Sequence, residues 1–337
     1  MARVLVTGGS GYIAGFLIKQ LVEAGWEVNT TIRSLGREAG VRDWLGVDNS
    51  RLHFFAADLT RDDGWAEAVA GCSRVAHVAS PFPVGAPKND DELIVPAREG
   101  VLRALRFAKD AGVKRFVLTS SVAAIAYGHP ERDRVFTEAD WTDVNAPGVG
   151  AYVKSKTIAE RAAREWMEAN GAGMEFCSVN PAAVLGPLLS GDFSASIQFV
   201  QRLLDGSVPG TPRLGFAVVD VRDLADLHVR ALETPGLDGE RFIGAGEFYW
   251  MRDVADVLRD RLGGQARKVP RRSVPDFVAR LMALFDSSLR AVTGELGRPR
   301  RTDAGHALAR LGWKTRSEAD SIVDTARSLI DRGIVKV

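Results

Sequence analysis

The chain has 337 residues, with 44 basic against 43 acidic side chains and a formal net charge of +1. That balance argues against a nucleic-acid or anionic-membrane footprint spread over the surface, so partners must be sought in a pocket. The length suits one large domain with a smaller appended lobe. Cys72 and Cys177 stand far apart, offering neither a disulfide framework nor metal-ligand spacing, so both are expected to be buried and no metal is expected. No apolar run reaches the length of a membrane span, and the N-terminus enters a strand without a signal-peptide pattern. The expected setting is therefore a reducing, cytoplasmic one.

The first element is the run Arg3 to Phe16, which reads as strand, tight turn and helix. Val4, Leu5 and Val6 form a short buried strand. Gly8, Gly11 and Ala14 follow at the spacing that brings a helix N-terminus against a pyrophosphate. Gly8 permits the turn, Gly11 lets backbone approach phosphate, and Ala14 lets the helix pack close. The N–H groups at the helix start, around Tyr12 and Ile13, then favour an anion. Amphipathic spacing carries the helix to Gly25, and Trp26 to Arg33 reads as a second strand. A reader of unphosphorylated ribose places Asp or Glu at that strand end. Here the end carries Arg33, with Arg37 one turn on. Two guanidinium groups suit a 2′-phosphate and point to NADP(H).

Leu52 to Ala57 is a third strand, with Asp58 and Leu59 at its carboxyl end. Arg74 to Ala79 is a fourth and runs into Ser80, Pro81, Phe82 and Pro83. Asp90 to Gly112 is helical, and Arg115 to Thr119 is a fifth strand that ends in Ser120 and Ser121. This alternation predicts an α/β fold with a doubly wound, Rossmann-type parallel sheet. Ligands in such sheets sit outside the carboxyl ends of the strands. The helix from Tyr152 to Trp166 places Tyr152 and Lys156 four residues apart on one face. Glu175 to Asn180 closes the nucleotide fold. The segment from Gly186 to Gly215 reads equally as a lid or as an ordinary packed helix with loops. Gly239 to Gly244 rejoins the sheet, and amphipathic helices follow at Arg252 to Leu262, Val274 to Phe285, Asp303 to Leu311 and Ser317 to Arg332. The predicted division is a nucleotide domain at 1–182 plus 216–246, and a smaller, mainly helical substrate lobe at 183–215 and 247–337. His77 and His228 read as satisfied buried histidines. The basic clusters Arg271–Arg272 and Arg298 to Arg301 read as solvated.

The segments VTGGSGYIAGFL, TIRS, ADLT, HVASPFP, FVLTSSVAAI, YVKSKTIAER, SVNPAAVLGP and VVDVRDLADLHVRAL give the chain its family likeness. It resembles the extended short-chain dehydrogenase/reductases, in the branch of dihydroflavonol 4-reductases, cinnamoyl-CoA reductases and yeast-type aldehyde reductases. The resemblance covers nearly the whole chain. It implies that Tyr152 is the proton donor, Lys156 its activator and ribose ligand, and Ser121 the hydroxyl that holds the substrate carbonyl. Ser121 is taken over Ser120 because the family's serine is the later of the pair. It also implies cofactor contacts at Asp58, Leu59, Ala79, Pro181, Val184 and Ser196. No Asn stands near Glu99, Gly100 and Val101, where the family often carries one, so no proton relay is expected there.

The activity so implied is reduction of an aldehyde or ketone, with Lys156, joined by the positive nicotinamide of the oxidised cofactor, lowering the phenol's pKa from its ordinary value of about 10. Phe82, Val122 and Phe193 suggest an apolar or aromatic small-molecule substrate. Two alternatives share the architecture: an epimerase or dehydratase of nucleotide sugars that retains its nicotinamide, and a non-catalytic nucleotide sensor. Arg33 and Arg37 weigh against the first, and the intact Tyr152 and Lys156 against the second. Oligomeric state is left open.

Overall fold

A computed structural model describes residues 2–81, 89–130, 133–191, 194–284 and 293–337. Its opening half alternates as expected: β1 (Arg3–Val6), α1 (Tyr12–Glu23), β2 (Glu27–Ile32), α2 (Glu38–Leu45), β3 (Leu52–Ala56), α3 (Trp65–Val69), β4 (Arg74–His77), α4 (Asp91–Asp110) and β5 (Arg115–Thr119). A two-residue strand, β6 (Val135–Phe136), precedes α5 (Ala151–Asn170) and β7 (Glu175–Pro181). The seven-stranded sheet runs β11-β7-β5-β4-β1-β2-β3, with β11 at Arg241–Gly244, and every pairing in it is parallel. The strand order reverses between β1 and β4, which opens a crevice at their carboxyl ends.

Both faces of this sheet are covered, which is why its strands are mostly buried. On one face Leu17, Leu21, Leu224 and Leu227 pack with Val4, Val28 and Val179. On the other, Trp65, Leu105, Ala163 and Phe116 pack with Leu5 and Val75. Burying each such side chain stabilises the fold by roughly 1.5–3 kcal/mol.

The remaining chain builds a second sheet that the alternation did not suggest. It consists of β8 (Ala183–Leu185), β10 (Gly215–Asp220) and β12 (Phe248–Trp250), with β10 central. The predicted returning segment 216–246 therefore divides. Its first strand belongs to the small sheet, α7 (Val221–Glu233) packs on the large one, and only β11 joins the large sheet's edge. Short pairings of β9 (Thr211–Pro212) with β13 (Ser273–Val274) and of β14 (Arg301–Thr302) with β6 add two ribbons.

Between Gly186 and Gly215 the chain carries α6 (Ala195–Asp205), whose Ile197, Val200, Leu203 and Leu204 are fully buried. That apolar face packs with Val254 and Leu258 of α8 (Met251–Leu262) and with Ile322 and Leu329 of the last helix, Glu318–Asp331. The described part of this segment is thus a packed helix. Between Val274 and Phe285 a shorter helix, α9 (Asp276–Met282), is observed, and Phe285 lies outside the described residues.

Asp220 joins the two sheets. It is fully buried at the end of β10 and caps α7, accepting from Arg222 N at 2.8 Å. Its second oxygen accepts from Arg222 Nη2 at 2.8 Å and from Ser321 Oγ of the last helix at 2.7 Å.

Candidate active site

The glycine turn after β1 is built around Thr7. Its hydroxyl oxygen accepts from Val78 N at 3.0 Å and Ala79 N at 2.9 Å, and its own proton faces His77 Nδ1 at 3.1 Å. With both acceptor directions of that oxygen in use, the Thr7 hydroxyl donates to His77. Nδ1 is then unprotonated and the ring neutral. Burial agrees, pulling the His77 pKa down to about 3, with the Lys156 charge adding to the effect. His77 is the satisfied buried histidine expected of it, set against Trp65 and Phe116.

Thr7 thereby ties the end of β1 to the end of β4. Gly8 sits there at φ +75°, where a Cβ would meet Ala79 Cα at 3.1 Å. A Cβ on Gly11 would meet Gly8 O at 3.1 Å. Gly11 begins α1 with no side-chain cap, and no acidic residue stands in the first turn. The N–H groups of Tyr12 and Ile13 have no acceptor within the helix. A backbone cradle of this shape, with open donors, fits the pyrophosphate of a dinucleotide. The Tyr12 side chain packs edge-on against Phe16, with ring centres 5.9 Å apart, between the two cores.

After the end of β2, Arg33 and Arg37 are both exposed. Asp58 accepts from Thr60 Oγ1 at 2.6 Å and Thr60 N at 2.8 Å. These bonds hold its carboxyl below the usual range, and Arg33 contributes to the same lowering. Leu59 lies against Gly100 of α4, where a Cβ would stand 3.1 Å from the leucine side chain. Leu59 and Ala79 line one crevice with Ser120, Lys156 and Glu160.

The proposed proton-transfer residues meet at the end of β5. Ser121 is buried and opens a short turn, its Oγ accepting from Ala123 N at 3.1 Å and lying 3.5 Å from Pro181 O of β7. Tyr152, in the first turn of α5, brings its hydroxyl close enough to Ser121 for the serine to act on it. The residue is 46% exposed, while its hydroxyl is desolvated. The expected depression counted the positive nicotinamide of the oxidised cofactor together with Lys156. Burial pushes the phenol pKa above its ordinary value, and the neighbouring Ser121 only partly offsets that. The expected depression is not a property of the protein alone, because desolvation disfavours the phenolate. A raised value keeps the phenol protonated at neutral pH, the form a proton donor needs. Lys156 is also desolvated, and its pKa falls to about 8 although the Glu160 charge opposes the shift.

Of the other sequence candidates, Pro181 ends β7 beside Ser121, Val184 lies buried in β8, and Ser196 is half-buried in the first turn of α6. Val122 is half-buried in the turn after Ser121. Phe82 and Phe193 lie outside the described residues. His228 is a buried partner, with Nε2 2.8 Å from Thr119 Oγ1 and Nδ1 2.8 Å from Leu224 O. Both cysteines are buried, their thiols pushed up to about 12. Arg300 departs from the solvated reading of its cluster. It is buried, donates to Glu295 Oε2 at 2.7 Å and lies 5.1 Å over the ring of Tyr127.

Glu160, a buried acid one turn beyond Lys156, escaped the motif reading. Its only signal in the sequence is its place on the helix face of Tyr152 and Lys156.

A model of the NAD dependent epimerase/dehydratase family matches residues 4–243. A cinnamoyl-CoA reductase of Medicago truncatula is 37% identical over 264 residues, covering 76% of this chain and 80% of that protein. A dihydroflavonol 4-reductase of Zea mays is 31% identical over 268 residues, covering 77% and 74%. Among solved structures, yeast methylglyoxal/isovaleraldehyde reductase complexed with NADPH superposes with a TM-score of 0.81 at 26% identity, covering 99% of this chain and 100% of the other. The chain therefore belongs to the NAD dependent epimerase/dehydratase family, the extended short-chain dehydrogenase/reductase group that its motifs resemble.

Proposed function

We propose that the protein reduces an aldehyde or ketone to the alcohol with NADPH, using Ser121, Tyr152 and Lys156. The observation that carries this reading is the approach of the Tyr152 hydroxyl to Ser121 just past the end of β5, at the carboxyl edge of the large sheet. Bound NADPH supplies the hydride. Ser121 orients the carbonyl oxygen by hydrogen bonding, and Tyr152 hands it a proton as negative charge develops. The Lys156 ammonium stabilises the phenolate left behind and offers donors to a ribose. Arg33 and Arg37 provide the charge for a 2′-phosphate.

Similarity to a cinnamoyl-CoA reductase, a dihydroflavonol 4-reductase and an NADPH-bound aldehyde reductase supports the same reaction class. Purified protein is expected to consume added NADPH with simple aromatic or aliphatic aldehydes and to return the alcohol. Protein that arrives with tightly held NAD and leaves NADPH untouched across a carbonyl panel would instead be an epimerase or dehydratase.

A further inference from the structure

Glu160 is a carboxylate with no exposed surface, placed one helical turn beyond Lys156 on α5. Its Oε1 accepts from Ser178 Oγ at 2.9 Å and Arg241 Nε at 2.8 Å. Its Oε2 accepts from Ser120 Oγ at 2.6 Å and Asn180 Nδ2 at 2.8 Å. Arg164 Nε approaches at 3.4 Å, and Arg241 is held 3.9 Å over the Trp141 ring. One carboxylate therefore ties α5 to the ends of β5, β7 and β11. Asn180 closes the circuit, its Nδ2 also donating to Ser121 O at 3.1 Å. The peptide that carries Ser121 is thus fixed from both sides by a group centred on Glu160.

A buried ion pair needs no catalytic explanation when one cation meets one anion. Here Arg164 and Arg241 both pair with Glu160, Lys156 stands one helical turn before it and lines the same crevice, and neutral His77 lines that crevice from β4. The arginines have further acceptors in Ser178 Oγ, Gly239 O, Glu138 O and Asp140 O. For Lys156, Glu160 is the one counter-charge acting on it among the described residues.

We propose that Glu160 is a positioning residue for the reductase site, its carboxylate setting the charge of Lys156 and the placement of Ser121 by way of Ser120 and Asn180. This rests on the roles proposed above for Lys156 and Ser121. Removing the negative charge while keeping the shape destabilises the ammonium and moves its loss to lower pH. Shortening the side chain keeps the charge but breaks the bonds to the strand ends, which misplaces Ser121.

The test compares Glu160→Gln and Glu160→Asp with the wild type, reading kcat/KM against pH, kcat at neutral pH and the Kd for NADPH. Glu160→Gln is expected to shift the high-pH decline in kcat/KM downward by about one unit, with less than about a threefold change in Kd. Glu160→Asp is expected to lose about tenfold in kcat while its decline stays near the wild-type pH. Should Glu160→Gln fail to fold, Glu160→Asp alone decides, and wild-type kcat in that variant overturns the proposal. An unmoved decline in folded Glu160→Gln also overturns it. Wild-type protein that reduces no carbonyl compound would sink the reductase reading itself, which separates the two failures.

Discussion

The Tyr152 hydroxyl in the first turn of α5 meets Ser121, the second residue after β5, although the two lie 31 residues apart in the chain. The phenol stays protonated, with a desolvated ammonium on the same helix. The pH dependence of the reaction follows from that pair. Lys156 has its pKa lowered to about 8, so it is charged below that value and neutral above it. Reductive kcat/KM is expected to be flat near neutrality and to fall as pH rises through about 8. Initial rates of NADPH oxidation across pH 6 to about 10 measure this, and a profile rising through that range would contradict it.

Arg33 is exposed just past the end of β2, with its charge close enough to act on Asp58. If it receives the 2′-phosphate, Arg33→Ser removes a charge-assisted contact worth about 1.5–3 kcal/mol. KM for NADPH is then expected to rise by about tenfold or more, with KM for NADH nearly unchanged. Equal effects on both cofactors would place the phosphate elsewhere.

At Gly8 the backbone holds φ +75° with Ala79 Cα 3.1 Å from any added Cβ. Gly8→Ala therefore combines a strained conformation with a clash against β4, and the loop must shift. A folded Gly8→Ala variant is expected to bind NADPH at least about tenfold more weakly by fluorescence titration. Unaltered binding would remove the turn from the cofactor site.

The Asp220 junction predicts an acid-sensitive stability. Burial opposes its ionisation, yet the bonds from Arg222 and Ser321 outweigh burial and hold the carboxyl below its usual range. A depressed folded-state pKa means the stabilisation is complete above the unfolded value of about 4 and is lost as pH falls through the lower folded one. Asp220→Ala leaves Arg222 without its main partner and is expected to cost about 3 kcal/mol in urea unfolding near neutrality. The loss should shrink in acid.

The nucleotide half was readable because its signals are local. Gly8, Gly11 and Ala14 act within one turn, and Tyr152 and Lys156 share a helix face by spacing alone. The small sheet was not, since Ala183–Leu185 and Phe248–Trp250 are three residues each and pair only through β10. Glu160 stayed hidden because Ser120, Asn180 and Arg241 lie 40, 20 and 81 residues from it. Arg300 looked solvated because nothing nearby in the chain shows that Tyr127 covers it. The direction of the Tyr152 shift depended on burial, which spacing cannot report.

Tyr152→Phe tests the central claim most directly, because it deletes one hydroxyl and leaves the ring in place. Turnover of NADPH with an aldehyde that the wild type accepts is expected to fall by at least about a hundredfold. NADPH binding should remain within about threefold of wild type, since the cofactor's cradle is untouched. A Tyr152→Phe protein that reduces the aldehyde at the wild-type rate would contradict the account.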